Sequence, residues 1–454
     1  MGDDAVGILR AAEGVLWGAP MMAAFLLTGV FFTVLLRGFY LSRPGLVLRS
    51  TLGSLGHDRP GKGMSRFQAL CTALAASVGT GNIVGVALML SLGGPGSVFW
   101  MWTAGLLSMA TGFAETVLGV HFRRRGEDGT WRTGPMYYIA SGLKTPGLGK
   151  AYALFCALAA LGMGCFVQSN SIASALNAQW AVPPTLTAGV ACLLTAAVIL
   201  GGTSRLGKVT ERLVPAMVLL YTLCGLACLV LRAEALPGAI LEIFRCALSP
   251  RAAGAFGLLA ALRQGVGCGV FSNEAGLGST VIANAAAENT TAAQQGLWSI
   301  LEIGVDTLLM CTVTALVILT SGAHGSGGAA LTMQAFAVCL GEAGSLVVLI
   351  SLVLFAFSTT LGWSHFGSVS AAYLFGDRAQ GMYRIVFLAC VLLGCLVEVR
   401  LAWSLANVLN GLMAMPNLWA LWHLRAIVRD EAVRLTSAPG ARSAAFPRPG
   451  RSAD

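Results

Sequence analysis

The sequence predicts an all-α polytopic membrane protein of about 11 transmembrane helices, arranged as inverted five-helix repeats with a discontinuous first helix in each repeat. Three observations predict it. Hydrophobic residues make up 56% of the 454-residue chain and charged residues only 11%, where soluble domains carry about a quarter charged residues. The apolar residues fall in blocks of about 20, the length that crosses the hydrocarbon core as helix. Two of those blocks, five apart in order, carry glycines and polar residues at their midpoints.

Taken in order, windows of about 19 residues place spans at 14–36, 67–91, 96–120, 151–176, 182–202, 213–231, 254–286, 297–320, 337–362, 383–397 and 400–424. Ahead of the first, Asp3, Asp4 and the single Arg10 lack the basic start of a cleavable signal, so the first span is expected to be retained. Of the 29 Lys and Arg, 23 lie in the loops after spans 1, 3, 5 and 9, counting Arg384 at the edge of the tenth span, and in the C-terminal tail; five lie on the other side, counting Arg400 at the edge of the eleventh, and Arg263 lies well inside a span. Basic loops stay in the cytoplasm, so the chain is expected in the cell membrane with its N-terminus external and its C-terminus cytoplasmic. The Arg123-Arg124-Arg125 run reads as part of that topogenic charge and receives no further role. A net charge of +9 would point a soluble protein to nucleic acid; here the basic residues sit between apolar blocks, so the expected partner is the lipid bilayer and nucleic acid is excluded. The twelve cysteines lie in or beside apolar stretches without CxxC pairs or His/Cys clusters, which disfavours a disulfide scaffold and a zinc site.

The domain reading follows. Residues 1–66 hold an external segment, an extra span and a basic cytoplasmic loop; 67–232 form the first repeat and 254–424 the second. Between them, 233–253 is an external interfacial segment, too short to span and amphipathic. Residues 425–454 form a basic cytoplasmic tail, rich in Ser, Ala, Pro and Arg from about 436 and expected to be disordered.

The broken spans carry the functional signal. Span 2 has Gly79-Thr80-Gly81-Asn82 at its midpoint; in span 7, Gly265, Gly267, Gly269, Gly276 and Gly278 surround Phe271-Ser272-Asn273-Glu274. Small residues in a span also make helix-packing faces. Their spacing favours backbone that faces a cavity, because span 2 opens the set 2–6 and span 7 opens the set 7–11. Open half-helix ends aim N–H groups at an anionic group and C=O groups at a cation, a pair of polarities matched by a zwitterionic amino acid and a sodium ion.

At these residues the chain resembles the alanine or glycine:cation symporter family, the sodium:alanine symporters, within the larger group sharing the leucine-transporter fold. The matching strings are GTGNIVGVA at 79–87, GGPGSVFWMW at 93–102, GPMYYI at 134–139, FSNEAGLGS at 271–279, LFAFSTTLGW at 354–363 and NGLMAMPNL at 410–418. The resemblance implies a secondary active transporter that couples uptake of alanine or glycine to entry of sodium, in some members of protons. It also implies a sodium site made of the carbonyls of Ala75, Val78 and Ala356 and the hydroxyls of Thr359 and Thr360. Threonines in a membrane helix also bond back to the carbonyl four residues earlier; three consecutive hydroxyls, Ser358-Thr359-Thr360, at the matching position favour the ion. The substrate carboxylate is expected at the N–H groups near Thr80 and Gly81 and the side chain of Asn82, its ammonium at carbonyls around Gly269, Val270 and Ser272. Gln168 is expected to close the site, or equally to be a satisfied packing glutamine, and Phe271 and Trp363 are candidate walls limiting side-chain size. The chain departs from the family at Cys268, where an arginine is usual, and at Asn407, where an aspartate is frequent.

Ionisable groups inside spans are costly and mark function or structure. Glu274 and Asp306 are read as coupling or structural residues, with Glu302 and Glu115 beside them, either capping broken backbone or pairing with Arg263. A protonatable Glu274 keeps proton coupling open. Other classes fit less well. A membrane enzyme would need a nucleophile with its base or a metal cluster, and the chain has no GxSxG or HExxH and only five histidines; a channel would need repeated filter rings. The expected function is therefore sodium-coupled symport of small neutral amino acids, without cofactor beyond the coupling ion. The alternatives are a proton-coupled symporter or a same-fold carrier of another small solute: a larger neutral amino acid, a nucleobase or a sugar. The oligomeric state stays open.

Overall fold

The structure, a computed structural model, describes residues 2–57, 63–126, 129–248, 257–325, 327–397 and 400–437. They are almost entirely helical, with one two-stranded hairpin, Arg124–Arg125 against Trp131–Arg132. Seven helical stretches are long and apolar enough to cross a membrane: Ala11–Leu35, Gly96–His121, Pro146–Trp180, Gly202–Leu231, Ala292–Ser321, Glu342–Phe375 and Ala379–Leu396. The other four expected spans fall on the interrupted helices at 66–93 and 258–284, the 16-residue Pro184–Ile199 and Arg400–His423.

The first interrupted helix begins with a capping box: Ser65 Oγ accepts from Gln68 N at 3.1 Å while Ser65 N donates to Gln68 Oε1 at 3.1 Å. Helix Arg66–Ser77 stops where Val78 and Gly79 turn extended, a 3₁₀ turn follows at Thr80–Asn82, and helix resumes at Val84–Gly93. The freed carbonyls are collected by threonines of neighbouring helices: Thr314 Oγ1 donates to Asn82 O at 2.9 Å and Thr332 Oγ1 to Ile83 O at 3.1 Å, which is how non-helical backbone survives at membrane depth.

The second interruption lies further along than expected. Helix Leu258–Asn273 runs through the glycine-rich stretch unbroken; Gly265 and Gly269 face helix Gly96–His121, where a Cβ on Gly269 would meet that of Ala104 at 3.0 Å. Those two glycines are a packing face. The chain leaves the helix at Glu274 (φ +56°) and turns through Gly276 (φ +93°) and Gly278 (φ +78°), conformations that favour glycine. Glu115 and Asn417 hold this segment: Gly276 N donates to Glu115 Oε1 at 2.8 Å, Asn417 Nδ2 donates to Gly276 O at 2.9 Å, and Tyr152 Oη to Leu277 O at 2.9 Å. Glu115 therefore caps broken backbone. Arg263 is exposed and makes no ion pair with Glu115, Glu274, Glu302 or Asp306 among the described residues, so the pairing expected for it is corrected.

Three further boundaries differ from expectation. Residues 337–362 are not one span: Gly328–Leu340 is a separate short helix, and after Gly341 (φ +64°) the helix Glu342–Phe375 runs for 34 residues. The tail begins as helix Arg425–Ser437, and the residues expected to be disordered beyond it lie outside the described ones. The chain ahead of the first span is itself helical, Gly2–Leu16, breaking at Trp17-Gly18 before Ala19–Leu35. Helix Leu236–Leu248 occupies the interfacial segment.

The hairpin makes a dense polar contact with the chain that follows the second break. Arg125 forms a bidentate pair with Glu288, 2.9 Å on both nitrogens, and Trp131 Nε1 donates to Glu288 Oε2 at 3.2 Å. The Arg123 and Arg125 guanidinium carbons stand 4.0 and 3.9 Å from the centre of the Trp131 ring. Arg123 also donates to Ala285 O and Ala287 O at 2.9 and 2.6 Å, and Glu288 N donates to Met64 O at 2.8 Å. Burial pulls the Arg123 guanidinium down to about 10, partly offset by Glu288, which leaves it charged at neutral pH. All three arginines of the run thus have partners, Arg124 through Ser141 Oγ at 2.9 Å, in addition to any topogenic role.

Candidate functional site

The two interruptions meet. Asn82, at the end of the first, points its amide away from solvent: Nδ2 donates to Asp306 Oδ1 at 2.8 Å and to Ser272 Oγ at 3.2 Å, and Oδ1 accepts from Gly79 N at 3.0 Å. Ser272 Oγ donates to Asp306 Oδ2 at 2.6 Å and Thr307 Oγ1 donates to the same oxygen at 2.9 Å. Asn82 and Asp306 are fully buried. Their polar groups are used up in a strut between the breaks, so Asn82 is not a ligand for the carboxylate in this structure. Asp306 sits on a π-helical segment, Gly304–Cys311, a distortion that shifts one residue out of register and occurs at functional sites.

A cavity of about 360 Å³ opens beside this strut. Its wall includes Gly79, Thr80 and Gly81 of the first break and Phe271, Ser272 and Glu274 of the second. The N–H groups of Thr80 and Gly81 donate to no backbone carbonyl among the described residues, leaving them as donors toward the cavity. Gln168 joins them: it follows a second π-helical segment, Gly162–Val167, its Oε1 stands 3.5 Å from Thr80 Oγ1, and its Nε2 donates to Met163 O at 3.2 Å. Gly269 and Val270 do not line the cavity. Both lie within the continuous helix and Val270 O accepts from Glu274 N at 3.0 Å, so their carbonyls are not available to an ammonium, and that expectation is corrected. The groups of matching polarity on that side are the Ser272 hydroxyl and the Glu274 carboxylate. Glu274 also accepts from Ser279 Oγ, and from Trp363 Nε1 at 3.2 Å, which fixes the indole of Trp363 in the wall.

The expected ion ligands cluster at the cavity floor. Thr359 Oγ1 stands 3.4 Å from Val78 O, across the gap between helices, whereas Thr360 Oγ1 donates to Ala356 O of its own helix at 3.0 Å. Ser358 Oγ bonds Phe355 O at 2.9 Å. The helices approach this closely because Gly79 and Gly362 have no Cβ: one on Gly79 would meet Thr359 Oγ1 at 2.7 Å and one on Gly362 would meet Ala76 Cβ at 2.7 Å. Ala75 is fully buried one turn before the break. Thr359 lines the cavity itself; Ala75, Val78, Ala356 and Thr360 stand behind it.

Several wall residues escaped the sequence reading. Glu13, Trp17 and Met22 come from the helices ahead of the repeats, Met163 from the π-helical segment. Cys268 and Asn407, visible in the sequence only as departures from a family pattern, both line the same cavity. Nothing in the first 22 residues marks them as cavity wall, because their alignment with the pocket depends on the Trp17-Gly18 bend.

Comparison with known proteins places this arrangement. A sequence model described as the sodium:alanine symporter family matches residues 3–438. An uncharacterised transporter of Haemophilus influenzae is 43% identical over 435 residues, 93% of this chain and 94% of that one. The sodium/alanine symporter AgcS of Methanococcus maripaludis is 40% identical over 440 residues, 94% of this chain and 96% of that one. Among solved structures, MhsT in complex with L-phenylalanine superposes with a TM-score of 0.53 at 15% identity over 83% of this chain and 99% of that one, a likeness of fold, that of the leucine-transporter group. By sequence over nearly its whole length, the chain belongs to the sodium:alanine symporter family.

Proposed function

We propose that this protein carries alanine or glycine into the cell together with sodium by alternating access. The observation that carries the reading is the meeting of three features at one cavity: N–H groups at Thr80 and Gly81 that no backbone carbonyl of the described residues accepts from, the Glu274 carboxylate, and the Thr359 hydroxyl against the Val78 carbonyl. The amino acid's carboxylate docks on the N–H donors, with Gln168 alongside. Its ammonium faces Ser272 and Glu274, and Trp363 and Phe271 bound its side chain. Sodium takes the carbonyls of Ala75, Val78 and Ala356 and the hydroxyls of Thr359 and Thr360, whose protons rotate away so that lone pairs face the ion.

Exposure along helix Leu258–Asn273 supports an outward-facing state. Arg263 at the rim is exposed, Gly267, Cys268 and Phe271 are half-buried, and Ser272 through Ala285 are buried. The rim lies at the end that the basic loops assign to the outside, and the hairpin pair Arg125–Glu288 closes the cytoplasmic end. Purified protein in proteoliposomes is expected to take up labelled alanine or glycine only down an inward sodium gradient. Uptake that ignores sodium and follows a pH gradient would overturn sodium coupling and move it to Glu274, the carboxylate in the cavity wall. Orientation is tested separately: a reporter fused after residue 430 is expected in the cytoplasm and one fused ahead of residue 14 outside. Both on one side would overturn the repeat assignment.

A further inference from the structure

We propose that Trp17, which lies outside both repeats, sets the upper size of the substrate side chain, and that Glu13 and Asn407 position it. The proposal rests on the amino-acid transport reading above. A cavity of about 360 Å³ is in the range that holds ligands much larger than alanine, so the open pocket alone does not reject a branched side chain. Rejection has to come from side chains at its outer end as the pocket closes.

Trp17 is built for that place. Its ring centre stands 4.7 Å from that of Phe271, one residue before Ser272, and 6.0 Å from that of Phe25, nearly parallel to it. The indole is thus one contact away from the second break. Its only polar atom, Nε1, donates to Asn407 O at 2.9 Å, which fixes the ring about that bond. The Asn407 side chain is itself held: Nδ2 donates to Glu13 Oε1 at 2.6 Å, one helical turn ahead of Trp17. Asn407 Oδ1 is buried without a hydrogen-bond partner among the described residues although the residue lines the cavity. Retreat toward helix Arg400–His423 is blocked, since the helices touch at Gly411, where a Cβ would meet Leu16 Cβ at 3.1 Å and Trp17 Nε1 at 3.4 Å. A pinned aromatic over a mobile substrate discriminates by volume.

The test is competition against labelled alanine uptake by glycine, leucine and phenylalanine in proteoliposomes bearing wild type, Trp17→Ala, Trp17→Phe and Glu13→Gln. Trp17→Ala is expected to make leucine a stronger competitor relative to glycine by about tenfold or more, the lower end of what one methylene is worth in a shaped pocket. Trp17→Phe keeps most of the exclusion. Glu13→Gln shifts leucine competition in the same direction without a sodium shift, a pattern that general destabilisation does not produce. Normal alanine uptake by Trp17→Ala with wild-type exclusion of leucine overturns the proposal. Should Trp17→Ala not assemble, Trp17→Leu takes its place in the series, and an unchanged leucine profile in it overturns the proposal. Wild-type protein that takes up no alanine defeats the transport reading and this proposal with it; wild-type uptake with an unmoved profile in the variants defeats the size limit alone.

Discussion

Thr359→Ala is expected to raise the sodium concentration for half-maximal alanine uptake by roughly ten- to a hundredfold, since a bond to a charged partner is worth about 1.5–3 kcal/mol and each factor of ten about 1.4 kcal/mol. Thr359 is the hydroxyl that reaches across to the first break, 3.4 Å from Val78 O. Alanine suits the helix, so the amount of protein in the membrane stays near normal. Alanine affinity at saturating sodium changes much less, because the coupling acts through the ion-bound state. Thr360→Ala acts in the same direction, more weakly, as its hydroxyl also bonds Ala356 O. Ser358→Ala is the control: its hydroxyl is committed to Phe355 O, about 100° round the helix from Thr359. Unchanged sodium dependence in Thr359→Ala, measured as uptake against sodium concentration, defeats the site.

The second large effect is expected at the hairpin. Arg125→Ala strips the bidentate partner from the Glu288 carboxylate, whose side chain is 6% exposed, while Trp131 Nε1 still donates to it. Losing a bidentate charged bond there should cost the closed arrangement roughly 1–3 kcal/mol, a five- to hundredfold shift in population. Hydrogen exchange of the segment around Val281–Asn284 reads it, because the chain just past the hairpin grips that backbone, Thr133 Oγ1 donating to Ile282 O at 2.6 Å. Faster exchange is expected in Arg125→Ala and Glu288→Ala, with the double variant little worse than either, since the two remove one shared interaction. Arg124→Ala, whose guanidinium bonds Ser141 at 2.9 Å and not Glu288, should leave exchange unchanged. Wild-type protection in Arg125→Ala would show that the pair does not hold the end shut.

Particular residues show how far the sequence could be read. The break at Gly79–Asn82 was legible because four consecutive helix-poor residues interrupt an apolar run. The break in span 7 was legible in existence and misplaced in position. Five glycines signalled it, yet Gly265 and Gly269 serve close packing while Gly276 and Gly278 take the positive φ, and residue type alone does not separate those uses. Asn82 looked like a ligand because it sits in the break, and became a strut because Asp306, 224 positions away, is brought beside it by a tertiary contact that no periodicity encodes. The π-helical segments beside Gln168 and around Asp306 leave no compositional mark. The short helix Gly328–Leu340 was merged into a neighbouring span because both are apolar, with only Gly341 to part them.

Helix Glu342–Phe375 has 34 residues, about 51 Å of rod at 1.5 Å per residue, where the hydrocarbon core needs about 30 Å. It is gripped at two places. Near its middle, Thr359 and Gly362 lie on the first break; just past its end, Asp377 takes Arg132 of the hairpin at 3.0 Å. The stretch between Thr359 and Phe375 is a lever arm of about 24 Å. With the fulcrum at Thr359, a tilt of about 10° sweeps the far end through about 4 Å by that arm's length, more than an ion pair can follow. The proposed ion site at the fulcrum and the latch at the tip therefore belong to one rigid part, and a small rotation permitted or forbidden at the first is felt at the second as a bond made or broken.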